Sequence, residues 1–198
     1  MARRFDISDK LIHFTGRGEC DEGAFATLGA ILRDGKLRAG GRMIRGSYRC
    51  VCFTEAPLAA FAPGFVAQFP FIRYSQFGLM FEKNWIFACG GLPVIYQPDI
   101  DFDLLPEELR WRHVRFEPTG DKVIDWTWER EWRVCCDELA FTPADAAIVV
   151  PSGQWANELR RIHDTHQDMV VQLYAQAIDQ DIAEMWREQF PWRIVPLG

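Results

Sequence analysis

The sequence predicts an α+β fold in a single domain, residues 1–198. Three observations predict it. Strand-like runs and runs with helical spacing both recur along the chain. No repeat, linker or composition break divides it. At 198 residues it is long enough to bury roughly 70% of the surface its unfolded form would expose.

The elements follow in order. Leu11 to Thr15 is a short strand, broken by Gly16-Arg17-Gly18. From Asp21, the expected N-cap, apolar residues Ala24, Phe25, Leu28, Ile31 and Leu32 recur at helical spacing until Gly35 ends the run. Lys36 to Ser47, rich in Gly and Arg, is expected as an exposed loop leading into a strand from Arg49 to Thr54. Glu55-Ala56-Pro57 closes that strand, and Leu58 to Ala62 makes a short helical turn. Gly78 to Phe81 and Val94 to Tyr96 form a further pair of strands. Asp99 to Leu109 is acidic and helical toward its end, and Glu117 to Asp121 is a loop. Trp126 to Cys136 alternates as a strand, placing Glu129, Glu131 and Arg133 on one side. The β-branched run Ala146 to Val150 is a buried strand. Ser152 opens a helix through about His166, followed by a strand over Val170 to Ala175, an amphipathic helix over Ile178 to Gln189 and a last strand over Arg193 to Pro196.

Composition narrows the function classes. A net charge of −6 provides no electrostatic footprint for a phosphate backbone, so duplex nucleic acid is not an expected partner. Locally, Arg33, Lys36, Arg38, Arg42, Arg45 and Arg49 form a basic run, either a solvated loop or a site for phosphate groups. No apolar stretch suits a signal peptide or a membrane span, which places the expected protein in the cytosol. The six cysteines carry no paired CxxC arrangement and are expected as reduced thiols. His163 and His166 lack the Cys or HExxH context of a metal site, so a surface helix pair is expected and no metal.

Three motifs concentrate the unusual polar residues. In His13-Phe14-Thr15-Gly16 a strand histidine can donate to a ribose hydroxyl, while glycine backbone lets a flat amide ring approach. The alternative is a hydrogen-bonded structural histidine. In Glu129-Arg130-Glu131-Trp132-Arg133 a carboxylate between tryptophans would be partly desolvated and able to stabilise a cationic, sugar-like transition state. The alternative is an ion pair of Glu129 or Glu131 with Arg130 or Arg133. Cys52-Phe53-Thr54-Glu55 places polar groups at a strand end, and Tyr74-Ser75 precedes an aromatic strand; each also fits a cap or turn.

Taken together, residues 7–16, 52–57, 73–79 and 90–96 with Trp128-Glu129-Arg130-Glu131-Trp132-Arg133 resemble the AbiGi-type abortive-infection proteins and the related DUF2971 group. The resemblance covers about residues 5 to 136 and implies a prokaryotic role in phage resistance or toxin–antitoxin regulation. More distantly, the same motifs look like an ADP-ribosyltransferase core of the His-Tyr-Glu kind. That likeness implies two small sheets around a cleft, flanked by helices, with NAD bound as substrate. It implies catalytic roles for Glu131, Glu129 and His13, and an NAD site formed by His13, Thr15, Gly16, Arg17, Phe53, Thr54, Tyr74 and Ser75. Phe53 and Tyr74 compete for the middle, ring-stacking place. The acceptor would be protein, nucleic acid or water. The alternative is a catalytically silent antitoxin or nucleotide-sensing module that neutralises a cognate partner. An RNase built on His13 and a carboxylate would want a basic groove that the composition does not offer. A closed Glu131–Arg133 pair would favour the silent module; convergence of Glu131 and His13 around a ligand would favour the transferase.

Overall fold

Phe81, Ile148 and Val149 are costly to leave in water. The computed structural model, which describes residues 7–16, 20–58, 74–120 and 122–198, buries all three in a seven-stranded sheet. Its strands are β1 (Lys10–Gly16), β3 (Cys50–Thr54), β4 (Tyr74–Glu82), β5 (Leu92–Pro93), β8 (Glu131–Cys135), β10 (Ala146–Val150) and β11 (Arg193–Pro196), in the order β11-β10-β4-β1-β3-β8-β5. Two ribbons accompany it: β2 (Lys36–Arg38) runs antiparallel to β9 (Glu138–Ala140), and β6 (Ile95–Gln97) parallel to β7 (His113–Arg115). Among the described strands of the large sheet, β10 and β11 pair in parallel and the other neighbours antiparallel.

Register sets which side chains share a face. β1 lies against β4 from Lys10↔Glu82 to Gly16↔Tyr74, with an irregularity between Phe14 and Gly16. Gly78 is required there, because a Cβ on it would stand 2.5 Å from the His13 carbonyl oxygen. β1 meets β3 at one register pair, Ile12↔Thr54, whereas β3 follows β8 from Cys50↔Cys135 to Thr54↔Glu131. The sheet therefore consists of β11-β10-β4-β1 and β3-β8-β5 joined along a seam. Leu11, Val51, Phe53, Leu79, Phe81, Val134 and Ile148 build the larger core on one face, and Ile12, Phe14, Ala56 and Val149 a smaller one on the other.

The helices form largely where spacing predicts. α1 (Asp21–Asp34) buries Ala24 and Leu28 against the larger core, and Gly35 at φ 61° ends it by donating to the Ile31 carbonyl at 3.0 Å. Cys20, not Asp21, is its N-cap, which leaves Asp21 in the first turn, where a carboxylate suits the helix dipole. α2 (Lys83–Ala88) follows β4 directly and buries Ile86. α3 (Gly153–Ala175) runs unbroken for 23 residues, past the expected stop at His166 and through the expected strand at Val170 to Ala175. Buried Ala156, Leu159, Gln167 and Val171 keep helical spacing, and packing overrides the strand preference of Val170-Val171. α4 (Gln180–Glu184) is shorter than expected, held at its start by the Asp179 carboxylate accepting from Asp181 N at 2.9 Å.

Other expectations are corrected. The supposed loop after Gly35 begins as β2, because Leu37 is buried in the core. Asp99–Leu104 and Glu107–Arg112 are two 3-10 turns, each entered from a proline. Thr127–Glu129 is also a 3-10 turn, not strand: Asp125 Oδ1 accepts from Thr127 N at 2.9 Å and Thr127 Oγ1 at 2.6 Å. Arg130 then takes a left-handed conformation, φ 46°, and β8 starts only at Glu131. The helical turn expected over Leu58 to Ala62 falls, from residue 59 onward, outside the described residues, as does Asp121. Among the described helices none is long and apolar enough to cross a membrane.

Candidate functional site

Three of the strands carrying the sequence motifs, β1, β3 and β8, are neighbours, and the seam runs between the first two. Glu55 N donates to Arg130 O at 3.3 Å and Cys136 N to Arg49 O at 3.2 Å. These bonds make Thr54/Glu131, Cys52/Arg133 and Cys50/Cys135 the non-hydrogen-bonded pairs of that ladder. The Cys52 carbonyl consequently points away from β8, toward β1. There it accepts a hydrogen bond from His13 Nδ1 at 2.8 Å, so the imidazole bridges the seam where the ladder opens.

That bond fixes the chemistry of His13. Burial lowers its pKa, and the bond to the Cys52 carbonyl raises it less, so the ring is neutral at pH 7. With the proton on Nδ1, Nε2 carries a lone pair. The ring packs edge-on to Phe53 with centroids 5.9 Å apart. It also lines a cavity of about 270 Å³ with Thr27, Ala30, Ile31 and Asp34 of α1 and Lys36, Leu37 and Arg38 of β2. The walls are mostly apolar. Its charged groups are Asp34, Lys36 and Arg38, of which Arg38 lies 3.0 Å from Asp34 and Lys36 2.7 Å from Glu138.

Glu131 lies on the other face. The pair Ile12↔Thr54 sets Thr54, and with it Glu131 and Arg133, on the side of Ile12, while His13 shares the side of Phe53 and Trp132. Both Glu131 oxygens are engaged by Arg133: Nε donates to Oε1 at 2.8 Å and Nη2 to Oε2 at 3.2 Å. The guanidinium is buried, and its Nη1 donates to the Trp111 and His113 carbonyls at 2.8 and 3.0 Å. Glu131 N donates to Tyr96 Oη at 3.1 Å, and that hydroxyl donates to Trp126 O at 3.2 Å; burial pushes the Tyr96 pKa up to about 12.

The remaining candidates divide between structure and surface. Thr15 and Ser75 are buried, their hydroxyls 2.6 Å apart, and both also reach backbone carbonyls beside the β1 irregularity. Thr54 Oγ1 donates to Glu129 O at 2.6 Å and accepts from Ala56 N at 3.1 Å. Phe53 is held between His13 and Phe81, so neither it nor Thr54 presents a free surface to a ligand. Glu129, on the turn, does not share the strand face of Glu131 as expected. Gly16 is exposed, and among the described residues a Cβ there would meet nothing within 4 Å, which leaves its backbone open to approach from that side. Tyr74 stands opposite Gly16 in the ladder, and Arg17 falls outside the described residues.

Glu55, the last residue of the Cys52-Phe53-Thr54-Glu55 motif, accepts from Lys83 Nζ at 2.5 Å and from Trp132 Nε1 at 2.8 Å, a closed cluster where β3 ends; what sequence did not single out is those two partners and the α1 wall of the His13 cavity. Thr27, Ala30 and Asp34 join His13 only because α1 folds back over β1; the basic run containing Lys36 and Arg38 was their one signal. Elsewhere in that run Arg45 pairs with Asp99 at 2.8 Å and Arg49 with Asp137 at 3.2 Å, so these guanidinium groups already have carboxylate partners. His163 Nε2 lies 2.9 Å from the Glu188 carbonyl and its ring packs on Phe190, a structural role. Comparison with family models, with curated proteins and with solved structures returns no match for this chain.

Proposed function

We propose that the chain is a nucleotide-sensing binding module of prokaryotic phage defence, built on an ADP-ribosyltransferase-like split sheet and holding its ligand without turning it over. The closed Glu131–Arg133 pair carries the proposal. A carboxylate that must stabilise an oxocarbenium-like ribose needs an oxygen directed at the ligand, and both of these are committed to a buried guanidinium. His13, which would orient the same ribose, belongs to the opposite face. What the His13 side offers is a small, largely apolar cavity lined by an imidazole whose Nε2 has no hydrogen-bond partner among the described residues, suited to a flat ring bearing an N–H donor, such as a nucleobase or nicotinamide. In this module NAD is a bound ligand, and the partner is a cognate toxin whose activity the ligand-bound form restrains.

The second reading is the transferase itself, which the placement of His13, Thr54 and Glu131 on adjacent strands at an opened seam favours. In it Arg133 would release Glu131 on NAD binding. The test is nicotinamide release from NAD beside an NAD-induced thermal shift, for wild type, Glu131→Gln and His13→Ala. A shift without release, lost in His13→Ala and kept in Glu131→Gln, supports the binding module. Release abolished in both variants refutes it in favour of the transferase, and no shift with no release removes NAD as the ligand.

A further inference from the structure

We propose that Cys50 and Cys135 form an oxidant-modified site, joined reversibly by a cross-strand disulfide when the chain meets a hydroperoxide. The register sets the two residues directly opposite each other on β3 and β8, on one face of the sheet. The bond from Cys136 N to Arg49 O at 3.2 Å flanks them and identifies a non-hydrogen-bonded pair. Opposed residues of that kind have Cα atoms about 4.5 Å apart with side chains close together. Disulfides span Cα separations of roughly 4.4 to 6.8 Å, so this site can close without backbone movement. It closes at the short end of that range, where a disulfide is strained and readily reduced, as a reversible modification requires.

The other thiols do not compete in this geometry. Cys52 faces Arg133 across the ladder, and Cys136 projects to the opposite face, its Sγ 3.7 Å from the Val134 carbonyl. Cys20 precedes α1 and Cys89 follows α2, neither on this ladder. All six cysteines are free in the structure.

Exposure orders the steps. Cys135 is exposed and Cys50 is buried, so Cys135 meets the oxidant first. Burial, and then the Cys135 thiol beside it, push the Cys50 thiol up to about 12, which suits it to the second, slower step. The Cys135 thiolate attacks one peroxide oxygen, the O–O bond breaks, and water leaves after protonation, giving a sulfenic acid. The Cys50 sulfur then attacks the Cys135 sulfur; the S–O bond breaks and the departing hydroxide takes the Cys50 proton as a second water. One hydroperoxide is thereby reduced and two thiols are oxidised. The product ties together the two strands that carry Phe53, Thr54 and Glu131.

The test is to treat the reduced full chain with a few equivalents of hydrogen peroxide, alkylate remaining thiols and digest with trypsin. Cys50 and Cys52 share one tryptic peptide and Cys135 and Cys136 another, so single serine variants assign the link. The expected result is a peptide pair two hydrogens lighter than its parts, restored by dithiothreitol, absent in Cys135→Ser and Cys50→Ser and kept in Cys52→Ser and Cys136→Ser. Because Cys135 is exposed, its serine variant leaves packing undisturbed. In Cys50→Ser the Cys135 sulfenic acid should accumulate and be trapped by dimedone. A link that survives Cys135→Ser, or its absence from wild type under peroxide that oxidises exposed Cys20, overturns the proposal.

Discussion

Arg133→Met separates a structural ion pair from a displaceable one. The guanidinium makes four hydrogen bonds, two to Glu131 and one each to the Trp111 and His113 carbonyls, and is almost wholly buried. Removing one member of a buried pair typically costs about 3–5 kcal/mol, since the other charge is left desolvated and alone. Glu131 keeps 14% side-chain exposure and can recruit some water, which argues for the lower half of that range. The expected loss is therefore about 3–4 kcal/mol, read as a fall in the urea midpoint at unchanged m. Glu131→Gln retains an acceptor for the guanidinium and should cost about 1–2 kcal/mol. In Glu131→Leu/Arg133→Met the orphan charge disappears, so the double variant should be less destabilised than the sum of Glu131→Leu and Arg133→Met measured singly, by about 2 kcal/mol. Additive effects within about 0.5 kcal/mol would show two independent surface charges and refute the closed pair on which the binding-module proposal rests.

Four further outcomes are expected. Gly78→Ala should destabilise by about 2–3 kcal/mol or prevent folding, because its Cβ would stand 2.5 Å from the His13 carbonyl oxygen; thermal denaturation reads this. Leu28→Ala, beneath α1, should cost about 2–5 kcal/mol in urea unfolding. His13 has a folded pKa below its unfolded 6.5, so the stability it confers is complete above pH 6.5 and is lost as pH falls toward the folded value. Unfolding titrations from pH 8 to 5 should show that decline in wild type, and less of it in His13→Asn, whose amide N–H can still donate to Cys52 O. Gly16→Ala should leave stability within about 0.5 kcal/mol of wild type, since among the described residues a Cβ there meets nothing within 4 Å, while weakening any NAD-induced thermal shift if the ligand's ring lies against that backbone.

Local features of this fold were legible because local chemistry decides them. The period of α1 and its glycine stop, the β-branched β10, and the short strand bearing His13 all form as spacing and propensity dictate. Elements decided by distant contacts were not. Lys36–Arg38 looks like loop until β9 supplies its ladder, and Val170-Val171 looks like strand until α4 packs beside the continuing helix. The Glu129–Arg133 motif failed for a third reason: a non-glycine residue in the left-handed region ends the 3-10 turn and restarts the alternation at Glu131, and nothing in the composition around Arg130 announces it.

The candidate site shows the same boundary at its sharpest. Sequence identifies His13 and Glu131 as strand residues, but whether they face each other depends on the parity of a register two ladders long. Shifting a strand by one residue exchanges its faces. Ile12, not His13, stands opposite Thr54, and Thr54 stands opposite Glu131. One step of register therefore assigns the histidine to a neutral, cavity-lining place and the glutamate to a buried ion pair. The His13 imidazole donates to a carbonyl in the strand that Glu131 flanks, so any ligand that draws on the His13 ring pulls on the seam itself. Coupling of ligand to the β3-β8 half through Cys52 O is the route by which a module without turnover could report occupancy to a partner.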